Sequence, residues 1–159
     1  MENIRVVYSQ TRAINNLTGG IFNAYHKTLV YTDKNGAQHY ISGGPTIEAT
    51  IDNFGEIWRD KGFGELNIDS GLYTPVFPDG SQNKNYHGNG VDYEIVKTGA
   101  NLSEIWQKMQ GEANEINEQH RSYRPHDRNS NSAVDEILSR TGVAPTRKEI
   151  WAPASNKRI

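Results

Sequence analysis

Ser130 lies between two amides, Asn129 and Asn131, just ahead of the helix-patterned run from Ala133 to Arg140 that stops at Gly142. The first N–H groups of a helix point outward without partners, and the helix dipole favours negative charge there. A hydroxyl that turns anionic during attack, or a carbonyl oxygen that becomes an oxyanion, is stabilised in such a place. The matching base is His26, 104 residues earlier, on the first long β-patterned run, Ile21 to Thr32. A strand imidazole and a helix-start hydroxyl together suit acyl transfer, with His26 moving the proton and Ser130 attacking. His87 is a lesser candidate for the same work. Plainer readings stand beside these. Ser or Asn before a helix is what a cap looks like, Ser132-Ala-Val-Asp135 is close to a capping box, and a lone strand histidine is commonly structural. His120, His126 and Asp127 have no ligand-spaced partner, so no metal is expected. With no phosphate-cradling glycine loop and no paired carboxylates, no cofactor is expected either.

The elements that must bring His26 and Ser130 together follow from pattern. Ile4 to Tyr8 is a short β-branched run. Ile21 to Thr32 leads into Asp33-Lys-Asn-Gly36, a hairpin signal because Asn-Gly readily takes positive φ, and the return strand is Ala37 to Ser42 before Gly43-Gly44-Pro45. A turn centred on Asn35-Gly36 sets Gly44 or Pro45 opposite His26 and puts His39 opposite Tyr31 or Thr32. At about 3.3 Å per residue the two histidines are then roughly 17–20 Å apart and belong to different places. Gly43 and Gly44 leave the imidazole uncrowded and are candidates for a substrate groove. Thr46 to Asp60 is ambiguous, with helix-like spacing weakened by Gly55 and β-formers. Short strands are expected around Glu65 to Ile68 and from Val91 to Lys97. The Pro- and Gly-punctuated stretch 73–89 between them reads as a long loop able to roof a groove, with His87 in it. Asn101 or Ser103 is expected to cap a helix whose Leu102, Ile105, Trp106, Met109, Ala113 and Ile116 form a core stripe. Residues 1–145 make one domain and 146–159 a tail, tied down at most by Ile150 and Trp151.

Composition narrows the class. An apolar content of 35% and a mean hydropathy of −0.77 are polar for a globular chain and imply long loops. With a net charge of −2, bulk attraction to nucleic acid or to an anionic membrane is not expected. From Arg121 onward eight Lys/Arg face four Asp/Glu, an imbalance better suited to internal pairing. There is no cysteine, hence no disulfide and no thiol nucleophile. No signal-peptide pattern or membrane-length apolar run is seen, so the expectation is a chain cytoplasmic in its producing cell or exported by a leaderless system.

The run His26-Lys-Thr-Leu-Val-Tyr-Thr-Asp-Lys-Asn-Gly36, the Gly43-Gly44-Pro45 after it and Asn129-Ser130-Asn131-Ser132-Ala-Val-Asp-Glu-Ile-Leu138 resemble circularly permuted papain-like domains. That group includes lecithin–retinol acyltransferase-like and PPPDE-type proteins, in which a histidine strand precedes an Asn-Cys-Asn motif on a helix. The segments are still more similar to a set of bacterial toxin- or effector-like proteins carrying Asn-Ser-Asn-Ser. The resemblance covers about two thirds of the chain, omitting 46–89. It implies an α+β fold, an antiparallel sheet packed against helices. It also implies His26 as base, Ser130 as nucleophile and Asn129 and Asn131 as flanking or oxyanion amides. The implied activity is hydrolysis or transfer at an amide or ester, on peptide, peptidoglycan or protein, with an immunity protein as a further partner. Ser130 departs from the thiol pattern. A serine there means a serine hydrolase, an inactivated thiol enzyme, or a papain-like binding module. The second polar partner of the thiol members is missing too, because Gly44 or Pro45 holds its place, and the group that orients His26 is not identified.

Overall fold

The computed structural model describes residues 1–10, 25–47, 52–57, 62–88, 91–124 and 128–146. Alternation in the first ten residues produces β1 (Glu2–Gln10), which sends Ile4, Val6 and Tyr8 to one face and Arg5 and Val7 to the other. β2 (Tyr25–Thr32) and β3 (Gln38–Pro45) form the expected hairpin, joined through 33–37, where Asp33 Oδ1 accepts the N–H groups of Asn35 and Ala37. Gly36 takes φ +85° in this turn, a conformation closed to most side chains. Tyr31 pairs with His39 and Thr28 with Ser42, so the register derived from the turn holds. β4 (Leu66–Leu72) and β5 (Asp92–Gly99) complete an antiparallel sheet of order β4-β3-β2-β1-β5.

Two helices, α1 (Ser103–Glu118) and α2 (Ser130–Arg140), pack on one face of this sheet. The fold is thus α+β, as expected. Trp106, Met109, Ala113 and Ile116 of α1 and Val134, Ile137 and Leu138 of α2 close over Ile4, Val6, Leu29, Tyr31, Ile41, Leu66 and Ile68. Burial of these side chains, at about 25 cal/mol per Å² of apolar surface, is the main force that seats the helices. The opposite face carries Val7, Val30 and Tyr40, covered by Tyr73, Phe77 and Tyr86 from the expected long loop and by Val91 just before β5.

Two expectations, both of helix caps, need correction. No side chain of Asn101 or Ser103 caps α1: Asn101 sits at φ 62°, Leu102 is the N-cap, and its N–H is taken by the Glu2 carboxylate from β1. The last helix starts at Ser130, as expected, but its capping box joins Asn129 and Ser132 rather than Ser132 and Asp135. In the ambiguous stretch, the described residues hold a single helical turn, Phe54–Glu56. The stop at Gly142, φ 69°, is where it was placed. The basic C-terminal part does pair internally: Arg121 reaches Glu136 at 3.0 Å and Arg140 reaches Glu112 at 2.9 Å. Residues 21–24, Ile51, Trp58, His126, Asp127, Ile150 and Trp151 lie outside the described residues.

At the outer edge of β4, the Asn117 carboxamide accepts the Ile68 N–H at 2.7 Å and donates to its carbonyl at 2.8 Å. The Leu66 N–H bonds to Arg121 O at 2.7 Å, and Ser122 bridges Glu65.

Candidate functional site

β2 pairs with β1 as far as Tyr25, opposite Gln10, but pairs with β3 no further than Thr28, opposite Ser42. The two strands of the hairpin part there, and the start of α2 enters the gap. The Asn131 carboxamide takes the place of a paired strand: its Oδ1 accepts the Lys27 N–H at 2.8 Å and its Nδ2 donates to the Tyr25 carbonyl at 3.0 Å. These are the residues either side of His26. One turn further along α2, Asp135 Oδ1 receives the buried Lys27 ammonium at 2.8 Å, which also reaches Thr146 Oγ1 at 2.9 Å. Helix and strand are therefore bolted together at both neighbours of the histidine.

Within that clamp, His26 Nδ1 lies 2.7 Å from Ser130 Oγ. The other ring nitrogen, Nε2, lies 2.8 Å from Ser42 Oγ, which in turn is 3.2 Å from Thr28 Oγ1. The Tyr123 phenol lies near Ser130, and burial pushes its pKa up to about 12, so it stays protonated. The His26 imidazole is lowered from 6.5 to about 4, first because burial penalises its charged form and then because His87 lies near enough to repel that charge. His26 is neutral at neutral pH. It is able to accept a proton from Ser130, though it is a weaker base than a free imidazole.

Of the residues singled out by sequence, His26, Ser130, Asn129, Asn131, Gly43 and His87 converge. Asn129 is the N-cap of α2, and its Oδ1 accepts the N–H groups of Asn131 at 2.9 Å and Ser132 at 3.2 Å. Two of the amides expected to face an oxyanion are thus occupied by the cap, which leaves the Ser130 N–H as the first-turn amide outside it. Asn131 is given over to β2, as above. Gly44 pairs with Asn67, and a Cβ added there meets nothing within 4 Å. His87, its backbone N–H on the Tyr73 hydroxyl at 3.2 Å, lines an open cavity of about 740 Å³ with Tyr8, Ser9, Tyr25 and Tyr86. His39 is half-buried, stacked on Tyr31 and paired with Asp33 at 3.5 Å, away from the site as expected. His120 pairs with Glu65, and no cluster fit for a metal exists among the described residues.

Gly43 matters for space rather than for backbone freedom. A Cβ there would stand 3.1 Å from Ser130 Cα and 3.2 Å from Ser130 Cβ, atoms that cannot swing aside. Gly43→Ala is expected to push the start of α2 outward, costing about 1–3 kcal/mol in urea unfolding, while Gly44→Ala is near neutral. Equal stability of the two variants would show that the close approach is dispensable.

Ser42, Thr28 and Tyr123 were not read from the sequence. Ser42 was within reach: two residues before the position opposite His26, it is a diagonal neighbour on the same face of the sheet. Tyr123 had no such signal, because it arrives from the connection before α2. Compared with protein-family profiles, with curated proteins and with solved structures, the chain matches none.

Proposed function

We propose that this domain is a hydrolase or acyltransferase acting on an amide or ester bond, built as a permuted papain-like arrangement. Its fitting substrates are peptide, peptidoglycan or protein, and its fitting setting is a bacterial effector. One observation carries the reading: residues 104 apart in sequence place an imidazole nitrogen and a hydroxyl 2.7 Å from each other at the start of a helix. The order, histidine strand first and helix-start nucleophile last, is that of the permuted group.

Ser130 Oγ attacks the carbonyl carbon while its proton passes to His26 Nδ1. The oxyanion forms beside the Ser130 N–H in the positive field of the α2 N-terminus. Collapse expels the amine or alcohol, which takes the proton back from His26. The acyl group on Ser130 then passes to water or to another acceptor, deprotonated by the same imidazole.

A second reading, a papain-like binding module without turnover, is favoured by one pair of facts. Ser130 is 4% exposed, and His26 is held near 4, weak for deprotonating a serine. The two readings separate by labelling with a fluorophosphonate hydrolase probe. The parent chain is expected to be labelled at Ser130, and Ser130→Ala and His26→Ala to be unlabelled. Growth inhibition on expression in cytoplasm or periplasm should follow the same pattern. Equal behaviour of parent and variants removes the enzyme reading, and a Ser130→Cys variant far more reactive than the parent marks the serine as a substitute for a thiol.

A further inference from the structure

The geometry points to a one-way chain of hydrogen bonds, Ser130 to His26 to Ser42 to Thr28, in which Ser42 and Thr28 are positioning residues that hold the imidazole with its proton on Nε2. This inference rests on the proposed acyl-transfer reading for its use, but its physical content stands on the contacts alone.

Each link has a defined partner. Nδ1 meets Ser130 Oγ at 2.7 Å, Nε2 meets Ser42 Oγ at 2.8 Å, and Ser42 Oγ meets Thr28 Oγ1 at 3.2 Å. Ser42 and Thr28 are fully paired strand neighbours, 2% and 0% exposed, so water does not compete for these hydroxyls. A hydroxyl gives one proton and accepts at its lone pairs, and a neutral imidazole gives at one nitrogen and accepts at the other. The chain is therefore free to run in either direction until something at an end decides.

One feature decides it at the Ser130 end, the field of α2, whose positive end begins at Ser130. That end favours the lone pair of an imidazole nitrogen over an N–H directed at it. It places the lone pair on Nδ1 and the proton on Nε2, where Ser42 accepts it and gives its own to Thr28. No carboxylate takes part, which distinguishes this arrangement from a triad with Asp behind the histidine. Ser42 fixes ring direction and tautomer without stabilising an imidazolium.

The test is a long-range proton–nitrogen correlation spectrum of the full chain with nitrogen-labelled histidine, at neutral pH. For the parent, His26 is expected to show Nδ1 unprotonated and Nε2 protonated. In Ser42→Ala the two nitrogens should move toward each other as both tautomers become populated, and the rate of fluorophosphonate labelling at Ser130 should fall at least about ten-fold. Thr28→Val, which keeps the shape of the side chain, should move the spectrum less and in the same direction, and it serves if Ser42→Ala does not fold. A protonated Nδ1 in the parent, or parent-like spectra in the variants that fold, would overturn the assignment. Lack of probe labelling at Ser130 would instead remove the catalytic reading and leave the spectra to decide the direction of the chain.

Discussion

Lys27→Met is expected to cost the domain about 3–5 kcal/mol of unfolding free energy, because it leaves a buried carboxylate with its main partner gone. The Lys27 and Asp135 side chains are 1% and 7% exposed, and their charged atoms are 2.8 Å apart. Forming such a pair is not strongly stabilising by itself, since both ions lose their hydration. Breaking it is different: Asp135 must keep its charge beside the core without the Lys27 ammonium or take up a proton. The double variant Lys27→Met/Asp135→Leu is accordingly expected to recover most of the loss, and a double-mutant cycle by urea denaturation measures the coupling. Additive effects of the two substitutions would show that the pair is not a unit. The consequence reaches the site, because Lys27 follows His26 in the strand and its main chain is also held by Asn131. In Lys27→Met the imidazole loses one of the two fasteners that keep it over Ser130, so probe labelling should slow even where the protein remains folded.

Acidification should expose His26 in the same currency. Its folded pKa is lowered from 6.5 to about 4, so in this interval the unfolded chain binds a proton that the folded one refuses. The stability due to the neutral buried ring is complete above about pH 6.5 and is lost as pH falls toward 4, on the order of 3 kcal/mol in all. Denaturant unfolding at a series of pH values from 7 to 4 should show this fall, and His26→Asn should flatten it by one proton. A parent and variant with parallel profiles would mean that the ring is not held neutral by its surroundings. If the proposed acyl transfer holds, the acid limb of fluorophosphonate labelling at Ser130 is expected near pH 4, well below the value for a free imidazole.

The sequence and the structure agree where a local rule sets a long-range result. Asn35-Gly36 fixes a hairpin, the hairpin fixes a register, and the register separates His39 from His26. The pairing of His26 with Ser130 came instead from chemistry and resemblance, since nothing local links positions 104 apart. The two misread caps have different causes. At α2 several Asn and Ser residues in a row are able to cap, and the box forms between Asn129 and Ser132, whose side chains satisfy each other's backbone N–H groups. Leu102 is capped by Glu2, which lies in a different strand and leaves no mark near the helix. Lys27 shows the same blindness. On pattern it is a polar strand residue, and its burial is decided by an aspartate 108 residues away.

The covering of the β4 edge bears on how this chain meets others. Asn117, Arg121 and Ser122 already occupy the hydrogen-bonding positions of Ile68, Leu66 and Glu65 on that side. A fibre built by strand addition needs two sticky ends on every subunit, one to receive and one to offer. With one end plugged, any pairing through β5, where Tyr93 and Ile95 are exposed, stops at a couple and does not propagate.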